Sequence, residues 1–209
     1  MAELRELPNP TSLSALGNLT IDNCNKLQTL RASLQKLRAL KQFTLRQLNQ
    51  LREMPNPTAL AVLDSLTIEF CPDIKVLPAS LGRLGALKQL TLRGLDELRK
   101  LPDPVGLTSL ERLTLGQCKR LKVLPVSIRH VSRLRHLSID WCSLEDMPCI
   151  KALTALHTLE LYFQRLCPLR GLLRGQGGVF KPRIQGAVAL TALPAAARDP
   201  PPRRRQALR

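Results

Sequence analysis

Leucine recurs through most of this chain with a fixed period, and the period decides what the chain can fold into. Aligned on the first apolar residue of each L-x-L pair, the sequence repeats at Leu19, Phe43, Leu66, Leu90, Leu113, Leu137 and Leu159, in steps of 24, 23, 24, 23, 24 and 22. Each block reads roughly LxxLxxLxLxx(C/L)xxLxxLPxxLxx, and LAVLDSLTIEFCPDIKVLPASL, residues 60–81, is a complete one. In L-x-L the two-residue strand period sends both apolar residues to one face and the residue between them to the other. No block can bury its own apolar face, so successive blocks must stack around a continuous leucine core. Leu-Pro turns carry the chain back on the far side, where Pro78 and Pro125 remove no ladder donor.

The expected fold is therefore an α/β leucine-rich-repeat solenoid, a horseshoe with one short parallel strand per 23–24 residues and little helix, over residues 1–166. Seven strands at ~4.8 Å spacing make an arc on the order of 30 Å long. A second period overlies the first. LPNPTSL at 7, MPNPTAL at 54 and LPDPVGL at 101 are 47 apart, so the unit of duplication is a pair of repeats. The chain opens inside a repeat, at Leu4-x-x-Leu7, with no capping segment, which predicts an exposed apolar end and a fragment or truncated relative.

Cysteine follows the strand with the same regularity. Cys24, Cys71, Cys118 and Cys142 each stand five residues after the first L-x-L residue, where other blocks have Leu48 and Leu95. A position that accepts Cys or Leu is an inward position, and a buried thiol there acts as a small hydrophobe able to reach a neighbouring turn's carbonyl. No CxxC or similar spacing suggests a metal site. Cys24 and Cys71 are two blocks apart, too far for a disulfide. Cys118 and Cys142, in adjacent blocks, are expected to remain thiols; Cys149 and Cys167 fall in the irregular last turns and receive no role.

The block LTLGQCKRLKVLPVSI, with Cys after the strand and Leu-Pro in the return turn, resembles the intracellular plant-type leucine-rich repeats of nucleotide-binding disease-resistance proteins. The LPxxL turn is also similar to that of free-standing Ras-binding-type repeat proteins. The first resemblance implies recognition of pathogen or host proteins, or restraint of a nucleotide-binding switch domain, in plant-type immune signalling. It carries no phosphate loop with it, since GxxxxGK[ST] is absent.

With L-x-L inward, the flanking residues face the concave side. The middle column is Thr20, Thr44, Thr67, Thr91, Thr114, Ser138 and Glu160. The next is Asp22, Arg46, Glu69, Arg93, Gly116, Asp140 and Tyr162; its first four members alternate in sign, and neighbours are expected to pair across strands. Beside it run Asn23, Gln47, Phe70, Gly94, Gln117, Trp141 and Phe163. Trp141, Tyr162 and Phe163 gather on the last two strands with His136 and His157 nearby, and Trp, Tyr and Arg are favoured interface anchors. The alternative is that Trp141 and Phe163 cover the end of the solenoid. Phe70 alone is expected to pack at the strand edge. The partner-binding set is Arg46, Glu69, Phe70, Arg93, Arg112, His136, Asp140, Trp141, Tyr162 and Phe163.

Catalysis finds no support: the three histidines stand in no Ser/His/Asp or HExxH pattern. No cofactor is expected. The chain carries no apolar run of signal-peptide or membrane-span length, so the expected location is cytoplasmic, with a nuclear one open. The net charge is +16, of which residues 164–209 hold ten Lys/Arg and one Asp, or +9. Those residues lose the repeat and are rich in Gly, Pro, Ala and Arg, which predicts a disordered basic tail over 167–209. The tail opens a second reading, charge-driven binding of nucleic acid or an anionic surface, without aromatics for base stacking. A third is a remnant without a partner.

Overall fold

The computed structural model describes residues 13–30, 34–145, 148, 152–162 and 183–184. Its frame is one parallel sheet in which every strand pairs with the next in sequence. The strands are β1 (Asn18–Asp22), β2 (Gln42–Arg46), β3 (Ser65–Glu69), β4 (Gln89–Arg93), β5 (Arg112–Gly116), β6 (His136–Asp140), β7 (Thr158–Tyr162) and β8 (Arg183–Ile184). Their register matches the sequence alignment residue for residue: Leu19, Phe43, Leu66, Leu90, Leu113, Leu137 and Leu159 lie opposite one another in turn. A slip by one residue would turn every inward leucine to water, so the apolar pattern pins the register.

Both apolar residues of each L-x-L are buried from β2 to β7. The core continues through the cysteine-or-leucine position and the leucines of the return turn, in one cluster that runs the length of the solenoid. At β1, Leu19 and Cys24 are only partly buried.

The return side is built of 3-10 turns, at Leu34–Lys36, Ala79–Arg83, Pro104–Gly106 and Val126–His130. Pro78 and Pro125 stand extended just before two of them. Among the described residues there is no α-helix. An α-helix with its side chains is about 10 Å wide, whereas the strands advance by ~4.8 Å; thin 3-10 turns keep pace with the sheet. The fit is close. A Cβ on Gly82 would overlap the Asp103 carbonyl oxygen, and one on Gly106 would lie 2.7 Å from the Gly82 oxygen.

Of the expected tail, Arg183 and Ile184 form β8 and pair in parallel with Glu160 and Leu161. The remaining residues of that segment, Cys167 among them, lie outside the described ones, as do Cys149 and Phe163.

Candidate functional site on the concave face

The middle of each strand supplies the floor. Thr20, Thr44, Thr67, Thr91, Thr114, Ser138 and Glu160 are in register across the sheet, all but Thr20 half-buried. β-Branched threonine suits a pleated surface and offers hydroxyls to a partner.

The charged column neutralises itself, in part differently from the expectation. Arg46 Nε meets Glu69 Oε2 at 2.9 Å across neighbouring strands. Arg93 does not pair with an adjacent strand. Its Nη2 reaches Asp140 Oδ2 at 3.1 Å, two strands away. The reason is Gly116, which stands between them in register. A Cβ there would come within 2.8 Å of Arg93 Nε, so only glycine leaves the arginine a path. Arg112 is exposed at the start of β5, opposite half-buried His136; Tyr162 is half-buried opposite Asp140.

The next column is a turn, not strand. Asn23, Gln47, Phe70, Gly94, Gln117 and Trp141 all have φ between 51° and 61°. Their N–H groups donate to the last carbonyl of the following strand, as in Phe70 to Arg93 at 2.8 Å and Trp141 to Tyr162 at 2.8 Å. The left-handed conformation thus completes the ladder while tipping the chain inward to the cysteine position. Gly94 and Asn23 are residue types at ease there. Phe70 and Trp141 are not, and both are exposed, at 46% and 51%.

Phe70 sits at the strand edge, as its place in the repeat suggested, and is only partly covered. Its ring lies over Gly94, where a Cβ would approach Cδ1 to 2.7 Å, yet nearly half its surface meets solvent. Trp141 lines the same groove, of about 500 Å³, with Asn49, Pro72, Gly94, Asp96, Gln117 and Lys119 completing it. Lys119 Nζ holds Asp96 Oδ2 at 2.8 Å on its rim. The groove's described lining residues follow strands β2 to β6. That Phe70 and Trp141 line one groove was not foreseen from the sequence; the mixture of Gly and Asn in their column was the available sign of a left-handed turn.

The cysteines are inward thiols. Cys71 and Cys118 are fully buried and Cys142 nearly so. Each Sγ, Cys24 included, donates first to the carbonyl two residues back, at 3.4–3.5 Å. Their main acceptor is thus their own strand end; Cys118 also reaches Leu92 O in the neighbouring strand, at 3.9 Å, and Cys71 meets the Leu48 backbone of the neighbouring turn. Burial pushes the Cys71 thiol up to about 11. A hydrogen bond with Cys142, with burial, pushes Cys118 up as well, so Cys118 holds its proton. All four are free thiols. Among the described residues no group of three His, Cys, Asp or Glu side chains is arranged to hold a metal ion. No helix of the described residues is long and apolar enough to cross a membrane.

No family model matches the sequence, and no curated protein matches it. Similar solved structures include the leucine-rich-repeat domain of the type III effector XopL, at 25% identity over 74% of this chain and 70% of that one, TM-score 0.42. A leucine-rich-repeat protein of Leptospira interrogans is 20% identical over 76% of this chain and 57% of its own, TM-score 0.46.

Proposed function

We propose that this solenoid is a non-catalytic module that binds another protein on its concave face, anchored by Trp141 and Phe70. One observation carries the reading. Two of the chain's few aromatic residues occupy left-handed positions that disfavour them, stay half exposed, and flank one groove. Strain of that kind costs on the order of 1 kcal/mol per residue and collects at binding sites. The floor beside the groove is polar and internally neutralised, which suits a partner held by shape and aromatic contact rather than by long-range charge. Arg112, His136 and Tyr162 extend the surface across β5 to β7. The plant-type resemblance of the repeat supports recognition or regulation in immune signalling as the setting. The partner would then be a pathogen protein, a host protein or a nucleotide-binding switch domain, met in the cytoplasm.

The test is a pull-down with nuclease present at ~0.3 M salt, where exposed charge pairs are strongly screened. Full-length protein is compared with Phe70→Ala/Trp141→Ala, whose folding is checked by circular dichroism. A protein retained by the wild type and lost by the folded double variant supports the groove. Binding that ignores the double variant but disappears with nuclease or salt replaces this reading with charge-driven association through the Arg-rich segment.

A further inference from the structure

Exposed charges on this solenoid follow the two-repeat unit, and two columns alternate in sign. Lys41, Asp64, Lys88, Glu111 and Arg135 precede successive strands; Asp22, Arg46, Glu69 and Arg93 end the first four. Alternation lets neighbours neutralise each other, as Lys88 and Asp64 do at 3.1 Å and Arg46 and Glu69 at 2.9 Å. A third column keeps one sign over four repeats, with Gln28 before them and Asp146 after them. Ten residues after the start of β2, β3, β4 and β5 stand Arg52, Lys75, Arg99 and Lys122, all exposed. The parallel bridge between Glu53 and Val76 shows neighbouring turns paired side by side here. The backbone positions of the cations therefore advance by about one strand spacing, ~5 Å, per repeat.

Three of the four charges are unpaired among the described residues. Lys122 pairs with Glu145 at 2.6 Å, while Arg52, Lys75 and Arg99 have no ion pair among the described residues. Asp96 and Glu97 are taken by Lys119 and Arg120. Glu53 and Asp73 line one cavity with Arg52, at that end of the strip. Beside the strip the next column presents Val76 and Val123, 68% and 54% exposed, with Lys100 between them.

We propose that this strip, Arg52 to Lys122, docks an extended acidic polypeptide segment that carries apolar side chains among its carboxylates. The cations meet the carboxylates, and the valines meet the apolar side chains. A phosphodiester strand would satisfy the cations only, since the adjoining column offers valine and lysine where base stacking needs rings. None of the four cations lines the aromatic groove.

Fluorescence anisotropy of the full chain tests this with two labelled probes, a short peptide alternating Asp and Leu and an oligodeoxythymidine of similar charge. Arg52→Gln/Lys75→Gln/Arg99→Gln removes three exposed cations of the strip. Lys41→Gln/Arg83→Gln/Arg133→Gln removes three exposed cations elsewhere and controls for net charge and for the basic C-terminal segment. Peptide binding should weaken about tenfold in the strip variant, the sum expected for three exposed pairs, and stay within about twofold in the control. The proposal is overturned if the wild type does not bind the peptide, if both variants lose binding equally, or if the oligonucleotide binds more tightly and depends on the same three residues.

Discussion

Arg93 and Asp140 are joined by a 3.1 Å ion pair that passes over Gly116, linking β4 to β6 across β5. Both side chains keep some solvent contact, 38% and 21%, so the pair is screened. A double-mutant cycle with Arg93→Ala and Asp140→Ala should give a coupling of about 0.5–1 kcal/mol in urea unfolding. Gly116→Val should erase most of that coupling by closing the arginine's path. A coupling within error of zero in the wild-type background would show that the contact does not persist in solution.

The buried thiols make stability depend on pH in a defined direction. Cys71 has an ordinary value of 9.0 and is pushed by burial to about 11, with the Leu48 backbone hydrogen bond opposing. The unfolded chain therefore loses this proton near pH 9 while the folded chain keeps it until about 11. The native state binds more protons in that window, so stability is complete below 9 and falls as pH rises through it. The loss is on the order of 2 kcal/mol from this site. Cys71→Leu, the residue found at the equivalent positions 48 and 95, should remove that part of the pH dependence. Denaturant midpoints of the two proteins at pH 8 and pH 10.5 decide it; parallel changes would mean the thiol is not the titrating group.

Gly82 and Gly17 should respond to alanine in opposite ways. A Cβ on Gly82 would run into the Asp103 carbonyl oxygen, a backbone atom that cannot step aside, whereas Gly17 has nothing within 4 Å. Gly82→Ala should cost about 1–3 kcal/mol through overpacking, and Gly17→Ala should be within about 0.5 kcal/mol of wild type. Thermal melts of the two variants test whether the 3-10 wall is as tightly stacked as the glycine pair implies.

The strand register and the core could be read from leucine spacing because burial acts on every repeat alike and leaves a periodic mark. The cysteines yielded to the same logic, since Leu48 and Leu95 stand in for them. What escaped the sequence was the part that differs between repeats. The reach of Arg93 to Asp140 depends on one missing side chain at Gly116, and pairing rules for adjacent strands do not foresee a partner two strands away. The left-handed column was hidden because four of its six described members, Gln47, Phe70, Gln117 and Trp141, are types that seldom adopt that conformation. The uniform sign of Arg52, Lys75, Arg99 and Lys122 was present in the sequence, but became meaningful only beside columns seen to alternate and pair.

Phe70 and Trp141 should show function and stability pulling apart. At φ 54° and 51° each backbone favours Asn or Gly over an aromatic. Replacing Trp141, 51% exposed, with Asn removes about 1 kcal/mol of backbone strain and forfeits roughly 2 kcal/mol from burial of about half the ring. Trp141→Asn should therefore cost no more than about 1 kcal/mol, well below the loss for an aromatic without that strain. Phe70→Asn should cost slightly more, because its ring also covers Gly94. Both should weaken capture of the concave-face partner at least tenfold, in keeping with an aromatic anchor worth 2 kcal/mol or more, roughly. A variant that loses more stability than this, and binding with it, would instead identify the aromatic as part of the fold's packing, and the groove would then lose its claim to be a binding site.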